Sequence, residues 1–542
     1  MAMDRSGENV VVIGAGMGGL AAAIRLAAAG QTVTLIETAS APGGKMRTVA
    51  SDAGLVDAGP TVLTLRGVFD DLFALCGERL DDHLTLLPQP LLARHWWPDG
   101  ARLDLFSDPQ ASAAAIETFA GAREAAGFIR FHAATAALYD AFEDPVMRAP
   151  RPDKGAIVRA AMASPRLWPA LMPGVNLDRF VGFYFQDPRL RQLFGRYATY
   201  VGGRPSHAPA VLALIWQAEA RGVWAVQGGM HKLAVALAAL AERQGVTMHY
   251  GTSATEILQQ GGQVSGVQLA DGQLADGQLA DGQLGGGRTL ACRHVVFNGD
   301  PAALASGLLG GGVQTALPQS ATSPRSLSAQ VWSFAAEPSG PIAADLVHHN
   351  LFFTSDPALE FGPMGKGHLP LEPTLYVCAE DRAENRTPAG KERFEIILNA
   401  PAVSDGSMQD AEEALLCRTK TFYHLSKFGL TFTDLPQTKM LTTPHHLARL
   451  FPGSQGAIYG RSPEGMLASF QRPTARTALR GLYLAGGGCH PGAGVPMAAL
   501  SGRHAAEAMI SDLISASKSA PMAMPGGMSM VSRMMAAARF RS

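Results

Sequence analysis

Two glycine-rich stretches, one near each end of the chain, carry residues whose types and spacing can do chemistry. The first is Gly14-Ala15-Gly16-Met17-Gly18-Gly19, a G-x-G-x-x-G with Glu37 downstream. In this spacing Gly14 makes a tight turn, Gly16 lets a pyrophosphate approach bare backbone, and Gly19 permits close packing of helix on strand. The start of a following helix offers unpaired N–H groups and a partial positive charge to phosphates. Glu37 can accept both hydroxyls of an adenosine ribose, and an acid there disfavours a 2′-phosphate. These features predict dinucleotide binding. The second stretch, Gly486-Gly487-Gly488-Cys489-His490-Pro491-Gly492-Ala493-Gly494-Val495-Pro496, holds one imidazole in a tight turn. Histidine titrates near neutrality, so His490 is the candidate proton acceptor. An imidazole that merely bonds backbone in the turn is an equal alternative.

The elements that position these residues follow from the local pattern. Val10 to Ile13 is a β-branched run of the kind found in buried parallel strands. Leu20 to Ala29 is an Ala-rich helix closing at Gly30, and Thr32 to Ile36 is the next strand, so the chain opens as βαβ. Gly481 to Ala485 reads as a strand, and Pro496 to Ile510 as a helix. The stretch 105–220 is helical in character, over Ala111–Phe119, Ala122–Phe142 and Val211–Ala220. Its recurring aromatics, Trp168, Phe180, Phe183, Tyr184, Phe185, Phe194, Tyr197, Tyr200 and Trp216, fill a helical core or line an apolar tunnel. From 326 to 400 the pattern turns to strands, at Ser328–Ala335, Leu351–Thr354, Thr374–Ala379 and Phe394–Ala400.

Composition narrows the function classes. Of 542 residues 47% are hydrophobic and 17% charged, against a usual charged share of about 25%. The chain can bury a large core. A net charge of −1 leaves no basic footprint for nucleic acid. Cys76, Cys292, Cys378, Cys417 and Cys489 are odd in number and widely spaced, so neither a disulfide framework nor a zinc site is expected. His207, His231 and the adjacent His348 and His349 show no ligand spacing; they read as structural or surface residues, and no metal is expected. No stretch reads as a signal peptide or a membrane span, and a cytoplasmic protein peripherally associated with the membrane is expected. Ala270-Asp271-Gly272-Gln273-Leu274 recurs at 275–279 and 280–284, an expanded surface loop. Deleting two of its units is expected to preserve the fold.

The run Val10 to Arg47, with Gly43-Gly44-Lys45-Met46-Arg47 and then Asp57-Ala58-Gly59-Pro60-Thr61, resembles the opening of the FAD-binding superfamily of amine oxidases, carotenoid desaturases and Rab GDP-dissociation inhibitors. His490-Pro491-Gly492-Ala493-Gly494-Val495-Pro496 resembles the closing motif of the bacterial-type carotenoid (phytoene) desaturases. One departure is visible: many FAD enzymes of this superfamily carry Gly-Asp where this chain has Gly486-Gly487-Gly488. Gly222 to Met230, the strand Thr247–Tyr250 and the strand Ser253–Ile257 resemble the family's re-entry into the cofactor domain. Ala198 to Gly203 and Val495 to Arg503 are most similar to the methoxyneurosporene and 1-hydroxycarotenoid 3,4-desaturases.

The resemblance implies an α/β fold: an FAD-binding, Rossmann-like domain of the amine-oxidase type and a discontinuous substrate domain of mixed sheet and helices. It implies cofactor-domain pieces at 1–70, 221–305 and 470–515, a helical membrane-facing region at 71–220, and a substrate region with antiparallel sheet at 306–469. A Met-rich basic tail at 516–542 is expected to be disordered. The implied FAD-binding set is Gly14, Gly16, Gly18, Gly19, Glu37, Gly43, Gly44, Lys45, Arg47, Gly59, Pro60, Thr61, Gly487, Gly488, Gly494, Val495 and Pro496. Asp57 and Lys45 are expected to fix the flavin and its loop. The implied reaction is one C3–C4 desaturation of an acyclic 1-hydroxy or 1-methoxy carotenoid. Hydride leaves to the flavin while a base or water takes the neighbouring proton, and oxygen, quinone or another acceptor re-oxidises the cofactor. A multi-step phytoene desaturase and a redox-neutral carotene isomerase are the alternatives, with a prenyl-carrying Rab GDP-dissociation inhibitor-like binder as the rival from another class. A carotenoid cannot dissolve in cytosol, so the substrate is expected to come from a bilayer surface, with Arg189, Arg191 and Arg196 either as headgroup contacts or, equally, as a solvated helix face.

Overall fold

The computed structural model describes residues 9–270, 287–384, 386–404 and 406–519. The repeat units at 275–284 and the tail beyond 519 lie outside the described residues.

The β-branched run at the start becomes the central strand of a five-stranded parallel sheet. Its order is Leu482–Leu484, His294–Phe297, Asn9–Ile13, Thr32–Ile36 and Thr247–His249. Strands buried on both faces need apolar residues throughout, and Val10, Val11 and Val12 are fully buried. One face carries the helices Met17–Ala28, His231–Arg243 and Val495–Ser519, packed through Leu20, Ile24, Leu237 and Met509. The first helix stops at Gly30, whose φ of +82° suits glycine; the N–H groups of Gly30 and Gln31 turn back to Ala27 and Leu26. The other face packs on a three-stranded antiparallel layer, Ala254–Gln260, Gln263–Leu269 and Thr289–Ala291. The sheet therefore gathers three remote stretches of chain.

A second sheet has seven strands in the order Leu441–Thr442, Ser328–Ala336, Glu392–Ala400, Leu375–Ala379, His349–Phe352, Leu91–Trp96 and Arg102–Phe106. Only the pair His349–Phe352 and Leu91–Trp96 is parallel. Successive strand residues point to opposite faces. Trp332, Phe334, Val377, Phe394 and Ile396 go to one side and pack with the helix Asp410–Lys427. The opposite side meets the hairpin Thr48–Ser51 and Gly54–Asp57, which lies against the strands Ser328–Ala336 and Glu392–Ala400.

The aromatic middle is a packed core. Phe128, Phe131, Phe180, Phe185, Phe194, Tyr197 and Trp216 are buried together. Phe185 stacks on Phe194 at 4.8 Å, and Phe131 meets Phe194 at the same distance. Trp168 and Phe183 depart from this and are exposed. The helix expected over Val211–Ala220 is a 3₁₀ turn, Ala210–Leu214, running into the helix Ile215–Ala220. No helix among the described residues is long and apolar enough to cross a membrane. All five cysteines are free.

Candidate functional site

The N-terminal glycine loop is a surface of bare backbone with no room for side chains. Gly14 sits at φ +99° and its N–H donates to the Ile36 carbonyl at 2.8 Å, which makes the turn. A Cβ on Gly18 would lie 2.5 Å from the Gly486 nitrogen, and one on Gly19 2.0 Å from the Gly14 carbonyl oxygen. Gly43, at φ +122°, donates its N–H to the Ala15 carbonyl at 2.9 Å. Gly44, at φ +60°, lies so close that a Cβ there would meet the Gly16 Cα at 3.3 Å. Two glycine loops are thus laid against each other at the start of the helix Met17–Ala28. That helix has no side-chain cap, so its first N–H groups stay available to an anion. Glu37 closes the end of the second strand, its carboxylate accepting from Ala15 N at 2.7 Å and Ala39 N at 2.8 Å.

The closing stretch completes this surface. Gly486 is at φ +103° and its N–H donates to Ser501 Oγ at 2.7 Å. Asn298, at the end of the strand His294–Phe297, donates from its amide to the Gly14 carbonyl at 3.1 Å. It lies against Gly16, Gly18, Gly19 and Gly486 and ties the two stretches together. A Cβ on Gly488 would meet the Pro301 ring at 2.6 Å, and Gly494 sits at φ +111° just before Val495 and Pro496 open the last helix. The last and first helices touch backbone to backbone, because a Cβ on Gly502 would lie 2.1 Å from the Gly18 carbonyl oxygen.

The loop from Lys45 to Thr61 joins this surface to the second sheet. Gly59 is pressed on the Lys45 carbonyl, where a Cβ would come to 2.0 Å. Lys45 donates to the Ile458 carbonyl at 2.8 Å, and burial pushes its ammonium down to about 8. Arg47 bonds Thr442 Oγ1. Asp57 accepts from Met230 N at 2.5 Å and caps the helix His231–Arg243. Burial raises its carboxyl above the ordinary range, against those backbone bonds. Thr61, beyond Pro60, bonds Tyr376 OH at 2.7 Å.

Facing this loop, the second sheet presents a row of buried polar side chains in register across four strands. His349 stands opposite Cys378, Cys378 opposite Glu395, and Glu395 opposite Ser333. Both Glu395 carboxyl oxygens, Ser333 Oγ and His349 Nε2 are buried without a hydrogen-bond partner. Burial, then the acids Asp57 and Glu380, hold the Glu395 carboxyl well above its usual range. Glu380 is pushed up to about 8 by burial and Asp57. A cavity of about 200 Å³ lies beside the row, lined among others by Asp57, Thr61, Gly229, His348, Cys378 and Glu380. His348, His349 and Cys378 bring donor atoms within 4.8 Å of one another. The Cys378 sulfur is 4.0 Å from both ring nitrogens of His348, which puts it off the lone-pair direction of either. Of the structural and surface roles expected for these histidines, the surface one does not hold for His348 and His349. The pair is buried beside the loop, and the register that builds the row is invisible in a linear spacing.

The whole chain has known relatives. Residues 17–510 match the family described as flavin containing amine oxidoreductase. A hydroxyneurosporene desaturase of Cereibacter sphaeroides is 61% identical over 94% of this chain and 99% of its own length. That of Rhodobacter capsulatus is 54% identical over 95% of this chain and 100% of its own. The chain belongs to the hydroxyneurosporene desaturase family. In fold, a solved oxidoreductase of Methanosarcina mazei covers 92% of this desaturase-family chain and 100% of its own, with a TM-score of 0.56 at 16% identity. The fold is the amine-oxidase-type α/β architecture.

Two expected site assignments of this desaturase-family member change. His490 is buried, and its Nε2 donates to the Ala149 carbonyl at 2.9 Å. Burial pushes the imidazole down. The ring ties the closing turn to the helical segment, which is the backbone-binding alternative, and it is not an open base. The three arginines offered to headgroups are also engaged. Arg189 pairs with Asp187 at 2.7 Å and covers Phe119 at 4.2 Å, and Arg191 reaches Asp178 at 3.5 Å. Arg196 lies over the rings of Tyr197 and Tyr200, whose hydroxyls both donate to Glu219 at 2.6 Å. Asp187, the cap of the short helix Pro188–Gly195, accounts for the placing of Arg189. Asn298, Ser501, Gly502 and the Tyr376–His349 pair were missed. A glycine inside the final helix was the available signal, since it costs about 1 kcal/mol against Ala without a packing reason.

Proposed function

We propose that the chain is an FAD-dependent carotenoid desaturase that introduces one C3–C4 double bond into an acyclic 1-hydroxy or 1-methoxy carotenoid. The observation that carries this reading is the 61% identity, over nearly the full length of both chains, with a hydroxyneurosporene desaturase. The bare-backbone surface supports FAD: the diphosphate fits at the helix start beside Gly16 and Gly44, and Glu37 keeps lone pairs for ribose hydroxyls. FAD, when bound, supplies the hydride acceptor. The chain's own residues exclude side chains from the cofactor path and fix the loop Gly59-Pro60-Thr61 against the second sheet. Gly16→Val and Glu37→Ala should lose flavin on purification; full flavin content in both would sink the assignment. Expression in a host that accumulates 1-hydroxyneurosporene tests the reaction, with a product two hydrogens lighter by mass as the expected result.

The substrate is taken from a bilayer surface, with oxygen or quinone as terminal acceptor. Support for the bilayer lies in the helices Lys154–Ala163 and Trp168–Leu171 and their flanks, where Val158, Met162, Trp168, Met172 and Phe183 are exposed. Lys154, Arg159 and Arg166 are exposed on the same segment. Apolar side chains ringed by cations suit an anionic membrane face. Liposome flotation compares the chain with its Met162→Glu, Trp168→Glu variant; equal flotation would remove this surface from the reading.

A further inference from the structure

A hydrocarbon substrate needs no polar partner, yet the row facing the Gly59–Thr61 loop is polar, and one of its members has a prepared geometry. His349 is 3% exposed. Its Nδ1 is 2.7 Å from Tyr376 OH, and that hydroxyl is 2.7 Å from Thr61 Oγ1. The ring is thereby fixed at one edge, and the opposite edge, Nε2, is buried with no partner. A buried polar atom left unpaired costs about 1–3 kcal/mol. Such a cost persists where a ligand removes it.

The chemistry of that ligand is constrained. Burial, then His348 and Arg196, pushes the imidazole well down, so the ring is neutral. A neutral imidazole presents one donor and one acceptor, and whichever Nε2 offers, a hydroxyl can satisfy it. An ion there would be a buried, uncompensated charge. The neighbours in the row are less open. Ser333 and Glu395 stand on the strands against which the hairpin Thr48–Asp57 packs, whereas His349 is two strands further along from Glu395.

We propose that His349 Nε2 is the hydrogen-bond partner of the substrate's C1 hydroxyl, with Tyr376 and Thr61 as positioning residues that orient the ring. This inference rests on the desaturase reading above. In a 1-hydroxycarotenoid the hydroxyl lies two carbons from the bond dehydrogenated at C3–C4, so its partner must sit beside the reacting end of the cofactor site. His349 Nε2 is two hydrogen bonds and one imidazole ring from Thr61, the last residue of the loop assigned to the flavin. Anchoring the hydroxyl there sets which carbon pair is presented. It also separates hydroxylated from plain polyenes, because a site built to bond a hydroxyl rejects the analogue that lacks it.

The test uses the flavin-loaded protein with 1-hydroxyneurosporene and neurosporene in liposomes. Binding is followed by the shift of polyene absorbance, and turnover by product mass. His349→Leu should lower the preference for the hydroxylated polyene, in binding and in kcat/KM, by on the order of 10²-fold. Tyr376→Phe should lower it by about 10-fold through the freed ring, and His349→Gln should restore part of the loss. If His349→Leu does not fold, Tyr376→Phe and His349→Gln carry the comparison. An equal loss on both polyenes would mean a general catalytic or structural role and would overturn the proposal. Loss of flavin or a changed flavin spectrum in His349→Leu would assign Nε2 to the cofactor and overturn it too. Failure of the wild type on 1-hydroxyneurosporene would instead remove the desaturase reading, and the inference with it.

Discussion

The two surfaces that meet around Thr61 are built on opposite rules. On the parallel sheet the surface works because side chains are missing: Gly14, Gly18, Gly19, Gly44, Gly486 and Gly502 bring backbone against backbone. On the mixed sheet it works because side chains are present and under-satisfied, in the row His349, Cys378, Glu395 and Ser333. A glycine surface tolerates no addition. A polar row tolerates no removal of a partner. On the readings proposed above, the difference teaches that one protein can hold a cofactor by steric exclusion and a substrate by polar pairing, on neighbouring sheets.

The comparison breaks most readily on the glycine side. Gly502→Val would drive a side chain into the Gly18 carbonyl, which as backbone cannot yield. The expected loss exceeds the about 1–3 kcal/mol of ordinary overpacking, and the readout is no soluble flavin-loaded protein. A Gly502→Val enzyme of wild-type melting temperature would refute the backbone contact. Elsewhere on the mixed sheet, on the face opposite the row, the largest effect is expected at Arg382. Its guanidinium forks onto Glu392 with two bonds of 2.7 Å, at side-chain exposures of 3% and 1%. Arg382→Leu leaves a buried carboxylate alone and should cost about 3–5 kcal/mol in denaturant unfolding. Replacing Glu392 as well, by an apolar residue, should recover much of that.

A subtler test uses pH. Glu360 accepts from Thr374 Oγ1 at 2.7 Å and Asn399 Nδ2 at 2.9 Å, and burial pushes its carboxyl up to about 7. The unfolded chain releases this proton near the ordinary 4.5 and the folded chain holds it to about 7. Stability from this group is therefore present below the lower value and is lost as pH rises between the two, by on the order of 3 kcal/mol. Glu360→Gln should flatten the wild-type decline across that window; an unchanged slope would mean the carboxyl titrates normally. The smallest effect sharpens the glycine side. Ser501→Ala removes the acceptor of the buried Gly486 N–H and should cost about 1–2 kcal/mol, with flavin retained.

Legibility in the sequence followed the same divide. The βαβ opening, Glu37 and the glycine loops were readable because each constraint is local: a turn, a cap or a close approach falls within a few residues. Asn298 was not, since its partners lie hundreds of positions away and nothing near it advertises the contact, and Gly502 signalled itself only as a glycine inside a helix. The polar row was hidden for a related reason. Its members come from four strands whose register is set by pairing, so His349 and Glu395 look unconnected on the page. His490 misled because a histidine beside glycines suits chemistry and backbone tethering equally, and burial against Ala149 decided between them. Arg189, Arg191 and Arg196 misled because clustered cations say nothing of Asp187, Asp178 or the tyrosine rings that hold them.

The three-stretch origin of the parallel sheet has a consequence for how the protein is made. Its first strands leave the ribosome early, but the edge strand Leu482–Leu484 and the helix that covers Leu20 and Ile24 emerge after more than four hundred further residues. Until then the opening βαβ has an uncovered apolar flank, and its glycine surface lacks the closing stretch from Gly486. Domains that complete late expose aggregation-prone surface during synthesis. On the cofactor site proposed above, loading is expected to follow completion of the chain, and a stalled or truncated nascent chain is expected to be a client of holding chaperones and not a partly active enzyme.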